Sequence, residues 1–104
     1  MNYGLFMMPS HPPERELFEA HKWDLKCLSL ADDLGFSEAW IGEHYTAPWE
    51  PIPSPDLMIA QALMLTKNIK LCTGVHLLPY HHPAELAGRV AYLDHQRKED
   101  LCLG

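Results

Sequence analysis

Short apolar runs alternate along this chain with longer stretches in which apolar and polar positions share a helical period. Tyr3 to Met8 is apolar, is closed by Pro9 and reads as a first strand. Ser10-His11-Pro12-Pro13 cannot continue a central strand and is a loop. From Glu14 to Leu34 the residues Leu17, Leu25, Leu28 and Ala31 fall near one stripe, which predicts a helix. Glu14 and Glu16 suit its positive N-terminal end, and Gly35 is the expected stop. Phe36 to Glu43 follows as a second strand, apolar on both faces in the manner of a covered parallel strand, and it stops abruptly at Glu43-His44.

The proline-rich segment Thr46 to Pro53 is a loop, and Ser54-Pro55-Asp56 is a helix start. That second helix is expected to reach about Lys67, with Leu57, Ile59, Ala60, Leu63 and Met64 making much of its surface apolar. Lys70 to Leu78 is a third strand, and Pro79 to Pro83 a loop. Pro83 opens a third helix with a stripe of Leu86, Val90 and Leu93. After the polar run Gln96 to Asp100, Leu101 to Gly104 reads as the start of a fourth strand. The order βαβαβαβ implies an α/β fold with a parallel sheet and right-handed crossovers. Periodicity leaves two architectures open: a complete small sheet, or half of an eight-fold (β/α) barrel, which needs about 250 residues.

Length and composition narrow the picture. A chain of 104 residues supports one small domain spanning 1–104, and 47% apolar residues suffice for a core. A formal charge of −6 excludes nucleic acid and anionic lipid as partners, since both select clustered Lys and Arg. No apolar run reaches the roughly 20 residues of a membrane span. No basic region precedes the first apolar residues, so a cytoplasmic protein without a signal peptide is expected. Cys27, Cys72 and Cys102 are odd in number and lack metal-ligand spacing, which reads as reduced, mostly buried thiols.

Every loop that follows a strand carries unusual residues: His11, then His44, Tyr45 and Trp49, then His76, Tyr80, His81 and His82. Five of the seven histidines therefore gather at the C-terminal edge of the predicted sheet, where α/β proteins bind ligands. Imidazole and aromatic groups with few cations suit a flat, partly apolar ligand. The glycines are too scattered for a phosphate loop, and no Gly-x-Ser-x-Gly elbow occurs. A zinc site from His76, His81 and His82 matches no ligand spacing, and His82 before Pro83 suits a helix start instead, so no metal is expected. For His44 three roles stay open: a hydrogen-bonded structural histidine, a general acid/base or substrate-orienting group, or a metal ligand. Glu43 points to the opposite face of the strand from His44, so it is expected to brace a neighbouring strand or loop rather than form a dyad with it.

Trp40-Ile41-Gly42-Glu43-His44, Thr73-Gly74-Val75 and Leu78-Pro79-Tyr80-His81-His82-Pro83 carry a family resemblance. With Leu34 to Trp40, Trp49 to Pro55 and Leu93-Asp94-His95, they lie in order over about residues 1 to 95. The chain resembles the bacterial-luciferase-like flavin-dependent monooxygenases, and within them the limonene-monooxygenase-like branch. The resemblance implies the N-terminal half of a TIM barrel and a reaction in which a separate reductase supplies reduced FMN. A flavin C4a-hydroperoxide would then give one oxygen atom to a small apolar organic substrate. It implies His44 as the catalytic imidazole, Met7, Thr73, Gly74 and Val75 as flavin-binding, and Tyr45, Trp49 and His76 as substrate pocket. It also implies a non-proline cis peptide at or beside Gly74-Val75. Relatives that use the deazaflavin F420 give a second reading, and a truncated, non-catalytic chain acting by association a third. The family continues after Asp94-His95 with a Gly-Arg turn, whereas this chain reads Gln96-Arg97-Lys98-Glu99-Asp100. The chain is expected to stop near the middle of the fold, and an open half-barrel of this kind is expected to aggregate, to pair with a second copy or to require the missing half.

Overall fold

The computed structural model describes residues 1–96 and Cys102–Leu103. Four strands, β1 (Gly4–Met7), β2 (Glu38–Ile41), β3 (Lys70–Thr73) and β4 (Cys102–Leu103), form one parallel sheet in the order β1-β2-β3-β4. Helices α1 (Leu17–Asp33), α2 (Pro55–Ala62) and α3 (Pro83–Gln96) make the crossovers, and a short 3-10 turn at Leu78–Tyr80 precedes α3. This is the expected α/β arrangement, that of the N-terminal units of a (β/α) barrel. Of the expected fourth strand, Leu101 and Gly104 lie outside the described residues, as does the run 97–100.

All three helices pack on one face of the sheet. Met7, Ala39, Ile41 and Leu71 point to that face at alternate strand positions. They meet Leu28 and Ala31 of α1, Met58, Ile59 and Ala62 of α2, and Leu93 of α3. The opposite face carries Phe6 and Trp40, paired in register, with Phe6 63% exposed. The expectation that β2 is covered on both faces is therefore corrected: among the described residues only one face is covered.

Two of the helices are shorter than the pattern suggested, and in each a carboxylate that accepts backbone N–H groups sets the end. Helix α1 begins at Leu17 rather than Glu14, because the Glu16 carboxylate accepts the N–H groups of Phe18 and Glu19 and caps the helix there. Leu17, placed in the apolar stripe, is exposed, and the buried face of α1 is Ala20, Asp24, Leu28, Ala31 and Asp32. At the other end Gly35 takes φ +82° as expected. Its N–H donates to Asp32 O and that of Phe36 to Ala31 O, the paired bonds of a Schellman stop.

Helix α2 stops at Ala62, five residues short of the expected Lys67. The reason lies 30 residues upstream. The buried Asp32 carboxylate accepts three successive backbone N–H groups, from Lys67 (2.6 Å), Asn68 (2.9 Å) and Ile69 (2.7 Å). It turns the chain out of the helix and into β3, and a polar residue on an apparently amphipathic helix gives no sign of this. Charge-assisted bonds of this kind contribute about 1.5–3 kcal/mol each. Asp32→Ala, which leaves three donors without their acceptor, is expected to lower unfolding free energy by about 3 kcal/mol, and Asp32→Asn by somewhat less. Urea denaturation checks this, and a midpoint unchanged in both variants would contradict it.

Candidate active site

The strands end together, so the segments after them meet at one edge. There Phe6, Met8, Glu43, His44, Tyr45, Gly74, Val75, Leu77 and Tyr80 line a cavity of about 450 Å³, within the usual size range of small-molecule sites. The Tyr45 and Tyr80 rings lie 5.5 Å apart at 31° across it. The Gly74–Val75 peptide is cis, at the pair where the resemblance implies one.

Four of the residues expected at the site meet in this lining: His44, Tyr45, Gly74 and Val75. The others lie elsewhere. Met7 packs into the core, and the neighbouring Met8 is the methionine in the cavity, because successive strand residues face opposite ways. Thr73 is buried beside Ile41 in the ladder. Trp49 is exposed and outside the lining, although its carbonyl accepts the His11 N–H at 2.8 Å. His76 is buried behind the cavity against Asp56. Met8, with Met7, Tyr45, Trp49 and Tyr80, hints in the sequence at an apolar ligand, whereas Phe6 and Leu77 read only as strand residues. The parity of Phe6 and Met8 relative to Pro9 was a usable signal, but choosing between two faces needed the helices.

Gly42 lies directly under Met8. A Cβ built there would stand 2.1 Å from the Met8 sulfur and 2.9 Å from its methyl carbon. The thioether can swing away, and the space it would enter is the cavity.

Behind the cavity sits a chain of ionisable groups. The Glu43 side chain is fully buried. It accepts the Leu77 N–H at 3.2 Å and lies 2.9 Å from Nε2 of His81 through both oxygens. Arg89 donates through Nη2 to Nδ1 of His81 at 3.2 Å and through Nε to Asp56 at 2.6 Å. The Ser54 hydroxyl also donates to Asp56. Glu43 thus braces the loop after β3, as expected for a side chain facing away from His44. With a guanidinium on Nδ1 and a carboxylate on Nε2, His81 is the neutral Nε2–H tautomer. His11 is held in the same way, 2.9 and 3.0 Å from the Asp24 oxygens with Arg15 on Nδ1 at 3.2 Å. His44 lies 2.9 Å from Glu50 on the proline-rich loop. His76 Nε2 stands 3.4 Å from Asp56 but makes no hydrogen bond among the described residues. Among those residues no group of three or more His, Cys, Asp or Glu converges to hold a metal ion.

Burial pushes the Asp56 carboxyl up, yet Ser54, Arg89 and His76 together outweigh it and hold Asp56 below the usual carboxylate range. Cys27 is raised, first by burial and then by the charge of Asp24, so it is a poor thiolate.

A parallel (β/α) sheet with a mostly apolar, imidazole-bearing cavity at its C-terminal edge is the arrangement of the N-terminal units of a barrel-type fold. Comparison with known proteins gives the family. Residues 1–98 match the model for the luciferase-like monooxygenases, and the chain belongs to that family. It is 44% identical over 93 residues to 2,5-diketocamphane 1,2-monooxygenase 2 of Pseudomonas putida, covering 89% of this chain and 26% of that protein. It is 38% identical over 104 residues to limonene 1,2-monooxygenase of Rhodococcus erythropolis, covering 100% and 27%. Among solved structures, the oxygenating constituent of 3,6-diketocamphane monooxygenase from the CAM plasmid of P. putida superposes with a TM-score of 0.87. It is a type II Baeyer–Villiger monooxygenase in complex with FMN, 40% identical, matched over 92% of this chain and 26% of its own. The chain spans about a quarter of the length of the curated relatives it matches. No helix among the described residues is long and apolar enough to cross a membrane.

Two expectations follow from this geometry. Asp56, depressed when folded, stabilises the fold at pH above its unfolded value near 4, and that contribution is lost as pH falls through the lower folded value. Asp56→Asn should therefore flatten the acid limb of stability below about pH 4, checked by urea midpoints from pH 3 to 7; a variant curve parallel to wild type would refute it. Gly42→Ala should leave the fold intact and drive Met8 into the cavity, seen as a shift of the Met8 methyl resonance with little change in melting temperature.

Proposed function

We propose that this chain supplies the isoalloxazine-facing part of a flavin-dependent monooxygenase site. Residues 1–104 would contribute about three and a half βα units to a single luciferase-like domain. The observation that carries this reading is the composition of the cavity wall. It is mostly apolar and aromatic, its polar members are the His44 imidazole at the rim and Glu43, whose side chain is fully buried, and among the described residues it has no Lys or Arg. Such a wall fits a planar ring system and offers nothing to a phosphate. Val75 and Gly74 would lie against the ring, Phe6 and Met8 would exclude water, and Tyr45 with Tyr80 would close the mouth. His44 would hold or deliver a proton at the ring edge. Reduced FMN, brought by a separate reductase in the cytoplasm, supplies the electrons that let dioxygen give one atom to the substrate and the other to water. The substrate would be a small apolar organic molecule of the size of a terpene or a bicyclic ketone, by analogy with the named relatives. The uncovered sheet face bearing Phe6 and Trp40 favours self-association.

The reading is tested by anaerobic titration with reduced flavins. Because the wall meets only the ring, reduced lumiflavin, which lacks the phosphate, should bind within about threefold of reduced FMN, since a lost phosphate contact would be worth tenfold or more. Val75→Trp, which fills the cavity, should abolish binding of both. Binding that ignores Val75→Trp, or that needs the phosphate, would overturn the reading. With reductase, NADH and ¹⁸O₂ also present, His44→Ala should lower the yield of singly labelled product by about 10²-fold.

A further inference from the structure

Among the described residues four imidazoles stand near carboxylates, and they are not equivalent: His76 lies 3.4 Å from Asp56 without a hydrogen bond, and the other three approach to 2.9 Å. His11 and His81 are closed on both ring nitrogens, by Asp24 and Arg15 in one case and by Glu43 and Arg89 in the other. His44 has a carboxylate 2.9 Å from Nε2 and, among the described residues, no guanidinium on its other nitrogen. Its place in the site explains the difference. His44 lines the apolar cavity, and it also lines a second groove of about 370 Å³ formed with Leu17, Pro48, Pro51 and Pro53. Glu50 lines that second groove and not the cavity. The imidazole is thus the wall between two spaces, with Glu50 behind it.

Glu50 is also held in place from both sides. The preceding carbonyl, of Trp49, accepts the His11 N–H at 2.8 Å, and the carbonyl of Ile52 accepts the N–H of His44 itself at 2.8 Å. Ile52 is buried in the core, and the Glu50 N–H donates to Ala47 O at 3.1 Å. The loop therefore presents the carboxylate at a fixed distance from the ring rather than leaving it to a flexible side chain. The Glu50 side chain is 19% exposed against 37% for His44, so the acceptor is more sheltered than the ring it meets.

We propose that Glu50 is the positioning residue for His44: the negative charge of its carboxylate, 2.9 Å from Nε2, favours the ring proton on that nitrogen and leaves Nδ1 as the ring nitrogen presented to the ligand in the cavity. An ionised carboxylate only accepts, so the nitrogen facing it carries a proton in both the neutral and the cationic ring. The neutral ring then has its lone pair on Nδ1, and proton exchange with a bound ligand occurs at that atom. The inference rests on the flavin reading only for the identity of the ligand.

The test is long-range ¹H–¹⁵N correlation on the ¹⁵N-labelled full chain, about two pH units above the ordinary imidazole value so that the ring is neutral. Wild-type His44 should show a pyrrole-type Nε2 and a pyridine-type Nδ1, with the Nε2–H form preferred by about tenfold through the nearby carboxylate charge. In Glu50→Gln, whose amide can accept or donate, and in Glu50→Ala, the two tautomers should come within about threefold of each other. His11 and His81 should stay Nε2–H in every variant and report that the fold is kept. A wild-type His44 carrying its proton on Nδ1 overturns the proposal without recourse to a variant. So does an Nε2–H preference that survives both substitutions. Reduced FMN added to wild type should shift the Nδ1 signal and leave Nε2 nearly unmoved. A tautomer that depends on Glu50 but ignores reduced FMN supports the positioning role and refutes the flavin reading alone.

Discussion

A fully buried carboxylate beneath the tip of β2 holds this site together. Removing the Glu43 charge from water is costly unless donors replace the water, and burial without them would cost several kcal/mol. The donors come from the far side of the sheet edge: the Leu77 N–H and the ring of His81, both on the segment after β3. Satisfying Glu43 therefore draws that segment across the end of β2. The same act sets Val75, Leu77 and Tyr80 opposite His44 and Tyr45 and so makes the cavity. Arg89 carries the constraint on to α3 and α2 by bridging His81 and Asp56. The segment after β3 and the helices α2 and α3 are thus fixed by one network of ionisable side chains.

A parallel arrangement pins the first loop to the second. His11, held between Asp24 and Arg15, donates its backbone N–H to Trp49 and so ties the loop after β1 to the proline-rich loop after β2. Two imidazoles thus serve as rigid, neutral connectors, while His44, between them in sequence, keeps one nitrogen clear. The abundance of histidine at this edge has two causes, structural and chemical, and the partner on Nδ1 tells them apart.

Much of the architecture was legible because it rests on local physics. Alternating apolar runs and amphipathic stretches gave the strand–helix order, Gly35 gave the end of α1 through its left-handed φ, and Ser54-Pro55-Asp56 gave the start of α2. Element lengths were less legible. Asp32 ends one segment and starts another by contacts 35 to 37 residues away, and Glu16 caps a helix from inside the stretch that looked helical. In the site, His44, Tyr45, Gly74 and Val75 were identifiable from the residues and the family pattern they match. Met7 and Met8 are adjacent and chemically identical, so only the side on which the helices pack decided which of them faces the cavity. Glu50 looked like one more polar residue in a loop, and Asp56 and Arg89 like solvated helix charges.

The sequence by itself determined the order of elements, the parallel sheet, the gathering of histidine and aromatic residues at its C-terminal edge, and the family. These depend on periodicity, on turn chemistry and on short contiguous motifs, all of which are written in neighbouring residues. Only the tertiary structure decided which carboxylate each histidine meets. Glu43 adjoins His44 in sequence but turns away from it to His81, while Glu50 returns along the loop to His44. The reason is geometric: in a strand successive side chains point to opposite faces, so adjacency along the chain separates the two groups, and a loop pinned at both ends brings the distant one back.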